Sequence, residues 1–329
     1  MDNYASVVHQ MQEFGVEFRA KDLPLVIDAP KRRTCGVKGK HWYWLRSFRP
    51  DAGGTYIVGR FGSYKDSTSE KVDVDWKPLS DAERARKQAE HDAARAKADV
   101  ARQEEADLAA LGAAELWRRA KPEGFSPYLE RKGVVGEACR YLGSTLVVPL
   151  LRYDLPRGEA LRAVQRIKAD GSKLFTKGFA KPGCCVRLGS LDDAAWPLLL
   201  VCEGYATGLT LRMATDRALP VFVALDAGNL AHVVPLLRSL YPRHRLLVCA
   251  DDDYKTRDPM TGQLNNPGRT AARAVAKQVA ACDFLTPVFD AATRGDKDTD
   301  FNDLHARQGL EAVRRQLGAT LQAIRRFHG

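Results

Sequence analysis

Short apolar runs alternate with segments of helical periodicity along the chain from Leu198 onward. A continuous apolar run bounded by turn residues is typical of a buried strand, and apolar positions three and four apart indicate a helix. The pattern predicts strands at residues 198–202, 221–225, 245–250 and 284–289. It predicts helices at residues 206–214, 230–240, 269–281 and 310–327. Strands that alternate with helices form a parallel sheet with right-handed crossovers, so this part of the chain predicts an α/β fold.

The amino-terminal residues 1–79 are rich in aromatic side chains and predict a small antiparallel β unit. Its strands are expected at 41–48 and 55–61, with a Gly-Gly turn between them. Basic residues are interspersed among the aromatics: Lys31, Arg32, Arg33, Lys38, Lys40 and Arg46. Such a mixture can stack and clamp single-stranded nucleic acid. An aromatic core with solvated basic residues explains the same composition equally well.

The middle of the chain predicts a charged connector followed by a compact α+β segment. Residues 80–111 mix charges of both signs without a sustained apolar seam, which favours a long solvated helix over a coiled coil. Gly112 is expected to interrupt this helix, and a second short helix is expected at 115–120. The predicted segments are 1–79, 80–120, 121–195 and 196–329.

Composition narrows the function classes. The chain has 329 residues and a formal net charge of +10, a balance compatible with a polyanionic partner. Its seven cysteines are odd in number and include no C-x-x-C pair, which argues against a disulfide framework or a cysteine-based zinc site. Neither a signal peptide nor an apolar stretch long enough for a membrane span is visible, so we expect a cytoplasmic protein.

Acidic residues follow three of the predicted strands. They are Glu203 after the first strand, Asp251, Asp252 and Asp253 after the third, and Asp296, Asp298 and Asp300 after the fourth. The carboxyl ends of parallel strands share one edge of a sheet, so these carboxylates are expected to converge. Such a cluster repels itself unless a cation neutralises it, and hard divalent ions with oxygen ligands suit it. The side-chain period of two in extended backbone turns Asp251 and Asp253 the same way.

Each of these acids taken alone is as readily a solvated loop residue or a helix cap, but three clusters at matching strand ends favour a site. The chain has no Walker-A loop, no G-x-G-x-x-G run and no His-x-x-x-His pair, which disfavours a nucleotide-hydrolysing motor, a dinucleotide fold and zinc hydrolysis. Basic residues crowd the segment just upstream: Arg162, Arg166, Lys168, Lys173, Lys177, Lys181 and Arg187. This clustering is a better nucleic-acid signal than net charge. Phe175 and Phe179 in the same segment are either base-stacking residues or, more simply, core residues.

The strand-end motifs resemble those of the Toprim domain: Glu203-Gly204-Tyr205, Asp251-Asp252-Asp253 and Asp298-Thr299-Asp300. Residues 128–133 resemble the helix that opens the catalytic core of Toprim primases. Residues 146–150 and 164–177 resemble the basic subdomain that precedes the Toprim domain. The similarity covers residues 112–310 and is to the primases of bacteria, plasmids and phages.

The resemblance implies a Toprim parallel-sheet domain preceded by a basic α+β primase subdomain, a small β-rich amino-terminal domain and a long connecting helix. It implies a DNA primase that makes short RNA primers on single-stranded DNA by nucleotidyl transfer with Mg²⁺ or Mn²⁺. The implied catalytic residues are Glu203, Asp251 and Asp253, and the implied metal ligands are these three with Asp298 and Asp300. Glu203 is a ligand or a proton acceptor. Arg166, Lys173 and Lys177 are expected to contact template and ribonucleoside triphosphates.

Departures from the family pattern shape the remaining expectations. Cys35 is the only cysteine among the first 138 residues, so no zinc ribbon is expected. No helicase motif follows the core, so a separate replicative helicase is expected as partner. Residues 254–266 lengthen a link that is usually short, and residues 225–229 are similar to a form found in mobile-element proteins. A Toprim nuclease and a non-catalytic single-strand-binding module remain the alternatives, and the amino-terminal domain is a template-binding or a partner-docking module.

Overall fold

The computed structural model describes residues 1–50, 53–65, 68–74, 81–191, 197–258 and 262–328. The predicted segment boundaries at 79/80 and 195/196 lie outside these residues. The chain divides into two compact units, Met1–Lys97 with Arg257–Gln263, and Ala98–Thr256 with Leu264–Gly329. The four predicted segments stay a prediction, because the division into units falls inside one long helix rather than at their boundaries.

The first unit contains a helix and a four-stranded antiparallel meander in the order β1-β2-β3-β4. Its helix α1 spans Tyr4–Glu13 and was not expected from the sequence. The strands are β1 (Arg33–Cys35), β2 (His41–Phe48), β3 (Tyr56–Ser63) and β4 (Ser69–Lys71). One face of the sheet forms the core of the unit with α1, through Val7, Met11, Tyr43, Leu45, Ile57 and Phe61.

A single helix, α2, runs from Asp81 to Arg119, and the prediction of a break at Gly112 is wrong. Glycine costs a helix interior about 1 kcal/mol, which packing overrides. Ala106, Ala109 and Ala113 are buried along one stripe of α2. Ala113 belongs to the same core cluster as Val147 and Val164 of the following sheet, so the helix continues past its glycine.

The segment after α2 is built on a second antiparallel sheet in the order β5-β6-β7-β8. A short helix, α3 (Pro127–Lys132), precedes it. The strands are β5 (Arg140–Leu142), β6 (Thr145–Leu151), β7 (Leu161–Ile167) and β8 (Lys173–Phe175). Phe175 and Phe179 stack on each other and pack against the core, the simpler of the two expectations for them.

A five-stranded sheet in the order β13-β12-β10-β11-β9 forms the centre of the second unit. Its strands are β9 (Val186–Leu188), β10 (Leu198–Cys202), β11 (Val221–Val223), β12 (Arg245–Cys249) and β13 (Cys282–Leu285). In the described residues five helices accompany this sheet: α4 (Tyr205–Ala214), α5 (Ala227–Leu240), α6 (Pro267–Gln278), α7 (Phe301–Gln308) and α8 (Leu310–His328). The sheet has helices alternating with parallel strands, so the predicted α/β class is confirmed.

Two details of this sheet differ from the expectation. Strand β9 lies antiparallel to β11 at one edge, so the sheet is mixed rather than wholly parallel. The last strand ends at Leu285 instead of continuing to 289, because Pro287 has no N–H to donate to a ladder. Among the described residues no helix is both long and apolar enough to span a bilayer.

Candidate active site

The central strands β10 and β12 place two acids side by side. They are parallel neighbours in which Cys202 pairs with Cys249, so Glu203 and Asp251 follow at the same edge of the sheet. The Asp251 backbone N–H donates a hydrogen bond of 3.3 Å to Glu203 Oε1. Glu203 is 7% exposed, so a buried carboxylate lies at the end of the first parallel strand.

Asp300 joins this pair from the start of α7. It caps the helix by accepting the N–H of Asp303 at 2.8 Å, while the Asp303 carboxylate accepts the Asp300 N–H at 3.3 Å. Thr207, in the first turn of α4, donates its hydroxyl to Asp300 Oδ2 at 3.0 Å. Because α4 begins directly after Glu203-Gly204, this bond fixes the Asp300 carboxylate toward the edge that carries Glu203.

Asp253 also faces this edge and is tied to the start of α6. Its Oδ2 accepts the Gly268 N–H at 3.1 Å, and its own N–H donates to Asn266 Oδ1 at 3.1 Å. Asn266 caps α6 and Pro267 follows at the first helical position, a pairing typical of helix starts. A carboxylate at a helix N-terminus is stabilised by the unpaired N–H groups there.

The crowding of these carboxylates disfavours their ionised forms. Burial, and then the charge of Glu203, raises the pKa of Asp251. Burial likewise raises the pKa of Glu203, with a contribution from Asp253 and Asp226. Burial raises the pKa of Asp300, and Asp303 adds to it. A positive charge bound at this edge would oppose all three shifts, because an opposite charge favours the ionised form of a carboxyl group.

Asp252 points away from the cluster and is held by an arginine. Arg294 Nη1 lies 2.8 Å from Asp252 Oδ2, and Arg294 Nη2 donates to the Asp252 carbonyl at 3.0 Å. The guanidinium stacks 3.6 Å from the ring centre of Tyr254 and also donates to the Asp298 carbonyl. Asn266 donates its side-chain N–H to Asp252 Oδ1 at 2.8 Å. The middle aspartate is therefore an anchor for the loop that carries its two neighbours.

Asp298 is turned into a separate ion pair. Its Oδ2 lies 2.6 Å from Arg307 Nε and accepts the Gly295 N–H at 2.7 Å, and these contacts lower its pKa against the opposing effect of burial. The structure thus brings together Glu203, Asp251, Asp253 and Asp300, and it does not bring Asp298 to them. Asp296 is also outside the cluster, paired with Lys255 at the surface.

The donor set fits a divalent cation, although it is not assembled around one. Asp251 Oδ1 is buried and has no hydrogen-bond partner, and every donor here is oxygen, as Mg²⁺ and Mn²⁺ prefer. A Cβ on Gly268 would lie 2.8 Å from Glu203 Oε1, so only glycine leaves this space open. As the side chains stand, no three His, Cys, Asp or Glu groups in the described ranges are arranged to hold a metal ion.

Sequence reasoning missed four residues that order this edge: Thr207, Asn266, Arg294 and Asp303. Two had a readable signal, because Asn266-Pro267 is a helix-start signature and Asp300-x-x-Asp303 has the spacing of a capping box. Arg294 and Thr207 had none, because the carboxylates they bind, Asp252 and Asp300, are far away in the chain.

The predicted nucleic-acid contacts lie on the sheet upstream. Arg166, Lys173 and Lys177 are all exposed. Arg166 pairs with Leu174, and Lys173 pairs with Ile167, so the ladder places Arg166 and Lys173 on opposite faces of the β7–β8 hairpin. Arg166 and Lys173 therefore do not share a face of the hairpin, and Lys177 lies beyond the end of β8.

Comparison with known proteins finds a family match for part of the second unit. The profile of the Toprim domain matches residues 198–311, which include every acid of the cluster. Residues 198–311 are similar to the Toprim domain. The domain contains the central strands, the acidic edge and helices α4 to α7.

Two curated relatives from Escherichia coli, both named DNA primase TraC, extend the similarity upstream. One is 33% identical over 247 residues, covering 71% of this chain and 22% of that protein. The other is 29% identical over 323 residues, covering 78% of this chain and 22% of that protein. The chain therefore spans about a fifth of the length of these relatives. The chain resembles Toprim-domain primases, as its motifs predicted.

Solved structures give a weaker similarity. The primase fragment of the bacteriophage T7 primase-helicase protein matches with a TM-score of 0.42 and 12% identity, over 61% of this chain and 77% of that chain.

Proposed function

We propose that the chain is a DNA-directed primase that synthesises short RNA primers on single-stranded DNA for a plasmid, phage or other mobile element. The observation that carries this proposal is the edge where Glu203 and Asp251 lie side by side in a Toprim domain, with Asp253 and Asp300 facing them. The similarity to proteins named DNA primase supports primer synthesis rather than cleavage of DNA.

The reaction is the attack of a primer 3′-hydroxyl on the α-phosphorus of a ribonucleoside triphosphate. The new O–P bond forms as the bond to the bridging oxygen breaks, pyrophosphate leaves, and the hydroxyl proton passes to Glu203 or to water. Bound Mg²⁺ or Mn²⁺ supplies activation of the attacking oxygen and charge neutralisation at the leaving phosphates. Glu203, Asp251, Asp253 and Asp300 would hold it, and Asp298 would join them only by leaving Arg307.

The protein's own part in this reaction is to hold carboxylates in place. Thr207 orients Asp300 through its hydroxyl, and the α6 N-terminus orients Asp253. Arg294 and Asn266 fix the intervening Asp252 and so set the direction of both its neighbours. Substrate positioning by fixed groups is a large part of catalysis when no covalent intermediate forms.

Template and triphosphate binding are assigned to the basic sheet upstream. Exposed Arg166, Lys173 and Lys177 offer phosphate contacts from both faces of the β7–β8 hairpin. Their contribution is electrostatic and therefore sensitive to salt. The separate helicase and the cytoplasmic location stay predictions.

A primer-synthesis assay on single-stranded DNA with labelled ribonucleotides tests the proposal. The wild-type chain is expected to extend primers when Mg²⁺ or Mn²⁺ is present, and the Asp251→Asn variant is expected to be inactive. Asp216→Asn is the matched control, because Asp216 is exposed and pairs with Arg314 away from the cluster. Cleaved template without primers would identify a nuclease instead, and neither product with intact DNA binding would identify a binding module.

A further inference from the structure

The sheet of the first unit has one face in the core and one face toward solvent. In β2 the inward positions Tyr43 and Leu45 are 3% and 1% exposed, whereas Trp44 between them is 44% exposed. Residues directly opposite each other in antiparallel strands share a face. Register therefore gives the outer face, here defined as Trp42, Trp44, Arg46, Val58, Arg60, Gly62 and Lys71.

Trp44 on the outer face is exposed yet fixed. Its indole N–H donates to the Ala29 carbonyl at 3.1 Å, which sets the plane of the ring. The Arg46 guanidinium lies 5.2 Å from the ring centre. A large apolar ring held in water by a hydrogen bond is a preorganised stacking surface, because binding then freezes little side-chain freedom.

Cations surround this ring in the ladder. Arg60 lies directly opposite Trp44, and Lys71 lies directly opposite Arg60. The outer positions of β2, β3 and β4 carry no Asp or Glu. The nearby Asp28 carboxylate accepts the N–H and hydroxyl of Ser47, and the charge of Arg46 adds to these bonds in lowering its pKa. In the described part of this unit, Arg46, Arg60 and Lys71 form no ion pair.

Trp42 also lies on the outer face, but its ring is covered and is not available for stacking. It is 8% exposed, with Arg32 stacked 4.2 Å from its ring centre. Gly62 lies opposite, where a Cβ would come 2.9 Å from the indole, so the glycine lets the ring lie flat on the sheet. Arg32 is thereby added to the cations at this side of Trp44.

We propose that the outer face binds single-stranded nucleic acid, with an unpaired base stacked on Trp44 and phosphates contacted by Arg46, Arg60 and Lys71. A flat ring beside several unpaired cations is the combination that sequence-tolerant single-strand binding requires. A duplex hides its base faces, so it would meet only the cations. This site is independent of the transfer chemistry proposed for the Toprim domain.

The test measures binding of labelled oligothymidylate and oligouridylate to the full chain in EDTA, with a duplex of equal length as comparison. The Trp44→Leu variant is expected to bind the preferred single strand roughly 5- to 100-fold more weakly, the usual effect of losing one stacked base. Its duplex affinity is expected to be unchanged. Trp44→Phe, which keeps a ring, is expected to recover part of the loss, and Phe125→Leu is the control for an exposed aromatic elsewhere.

A second variant removes the charges, as R46Q/R60Q/K71Q, against a control of equal charge change on exposed residues, K21Q/R95Q/K97Q. Each phosphate contact to a single strand contributes about 0.7 to the log–log salt slope, so the first triple variant is expected to lower the slope by about 2. The control is expected to leave it unchanged. The proposal is overturned if folded Trp44→Leu and folded R46Q/R60Q/K71Q both bind the single strands like wild type.

The inference and the proposed function fail separately. The Asp251→Asn variant is expected to keep the Trp44-dependent binding while losing primer synthesis. A chain that makes no primers but loses single-strand affinity on Trp44→Leu supports the binding face alone. The binding face alone is refuted if the wild-type protein makes primers and the Trp44→Leu and R46Q/R60Q/K71Q variants both bind single strands like wild type.

Discussion

Replacing Asp251 by asparagine is expected to stabilise the protein when no metal is present and to remove its response to Mg²⁺. The Asp251 carboxyl group is buried beside Glu203, its Oδ1 has no hydrogen-bond partner, and its raised pKa means that keeping it there costs free energy above the pKa of the unfolded chain. An amide is neutral, has nearly the same shape and can donate to the Glu203 carboxylate. The substitution therefore removes the free-energy cost of keeping a buried acid either protonated or ionised.

The size of the effect follows from the pKa of Asp251, which burial raises from 3.8 to about 9. Between these two values the folded state binds a proton that the unfolded state has lost, so wild-type stability falls as pH rises. The slope is at most about 1.4 kcal/mol per pH unit. Glu203 keeps part of this slope in the variant, so the stability gap should widen by about 1–4 kcal/mol between about pH 5 and about pH 8.

The measurement is urea unfolding of wild type and Asp251→Asn at these two pH values, with EDTA or with Mg²⁺. Mg²⁺ at about one hundred times its dissociation constant should stabilise wild type by about 2.7 kcal/mol and the variant by far less. Asp216→Asn should behave as wild type in every condition. The reasoning is refuted if the variant is less stable than wild type in EDTA at the higher pH, or if Mg²⁺ stabilises both proteins equally.

Three further predictions concern the groups around the cluster. Gly268→Ala should reduce primer synthesis at least tenfold, because the new methyl group occupies the space beside the cluster's carboxylate oxygens. As a control, Gly112→Ala, in open space on α2, should raise the free energy of unfolding by roughly 0.5–1 kcal/mol and leave synthesis intact. Arg294→Lys should lower kcat more than it changes KM in steady-state synthesis, since lysine cannot reproduce the arginine's forked contacts; equal activity would remove its positioning role. Arg166→Gln and Lys173→Gln should each reduce the salt slope of template binding by about 0.7, and an unchanged slope in a salt titration would make that residue a solvated surface group.

The sequence predicted the sheet well because its signal is local. The apolar runs that became β10 and β12 are continuous and bounded by turns, and the acids that follow them were visible as Glu203 and Asp251. The helical break at Gly112 was wrong because packing on a distant sheet outweighs a local propensity. The predicted end of the last strand, residue 289, was wrong because the apolar pattern continues past Pro287, which cannot donate a hydrogen bond to the sheet.

The arrangement of side chains was predictable only where it depends on a fixed period. Strand alternation gave the shared face of Trp42 and Trp44 directly. It did not give the separation of Arg166 from Lys173, because that depends on the pairing register of a hairpin. The fate of Asp298 was equally hidden, since Arg307 reaches it only once α7 has formed.

The three consecutive aspartates show why a repulsive cluster can persist in a folded protein. Asp251 and Asp253 would relax away from Glu203 if their loop were free, because burial opposes the ionised form of Asp251 and the charge of Asp253 opposes that of Glu203. The residue between them prevents this, since Asp252 is held through its carboxylate and its carbonyl by a guanidinium stacked on Tyr254. The Asp252–Arg294 ion pair thus fixes the loop that carries Asp251 and Asp253. A loop fixed in this way keeps its carboxylates directed toward the edge where a cation would be bound, so the strain of the cluster is relieved by binding rather than by movement.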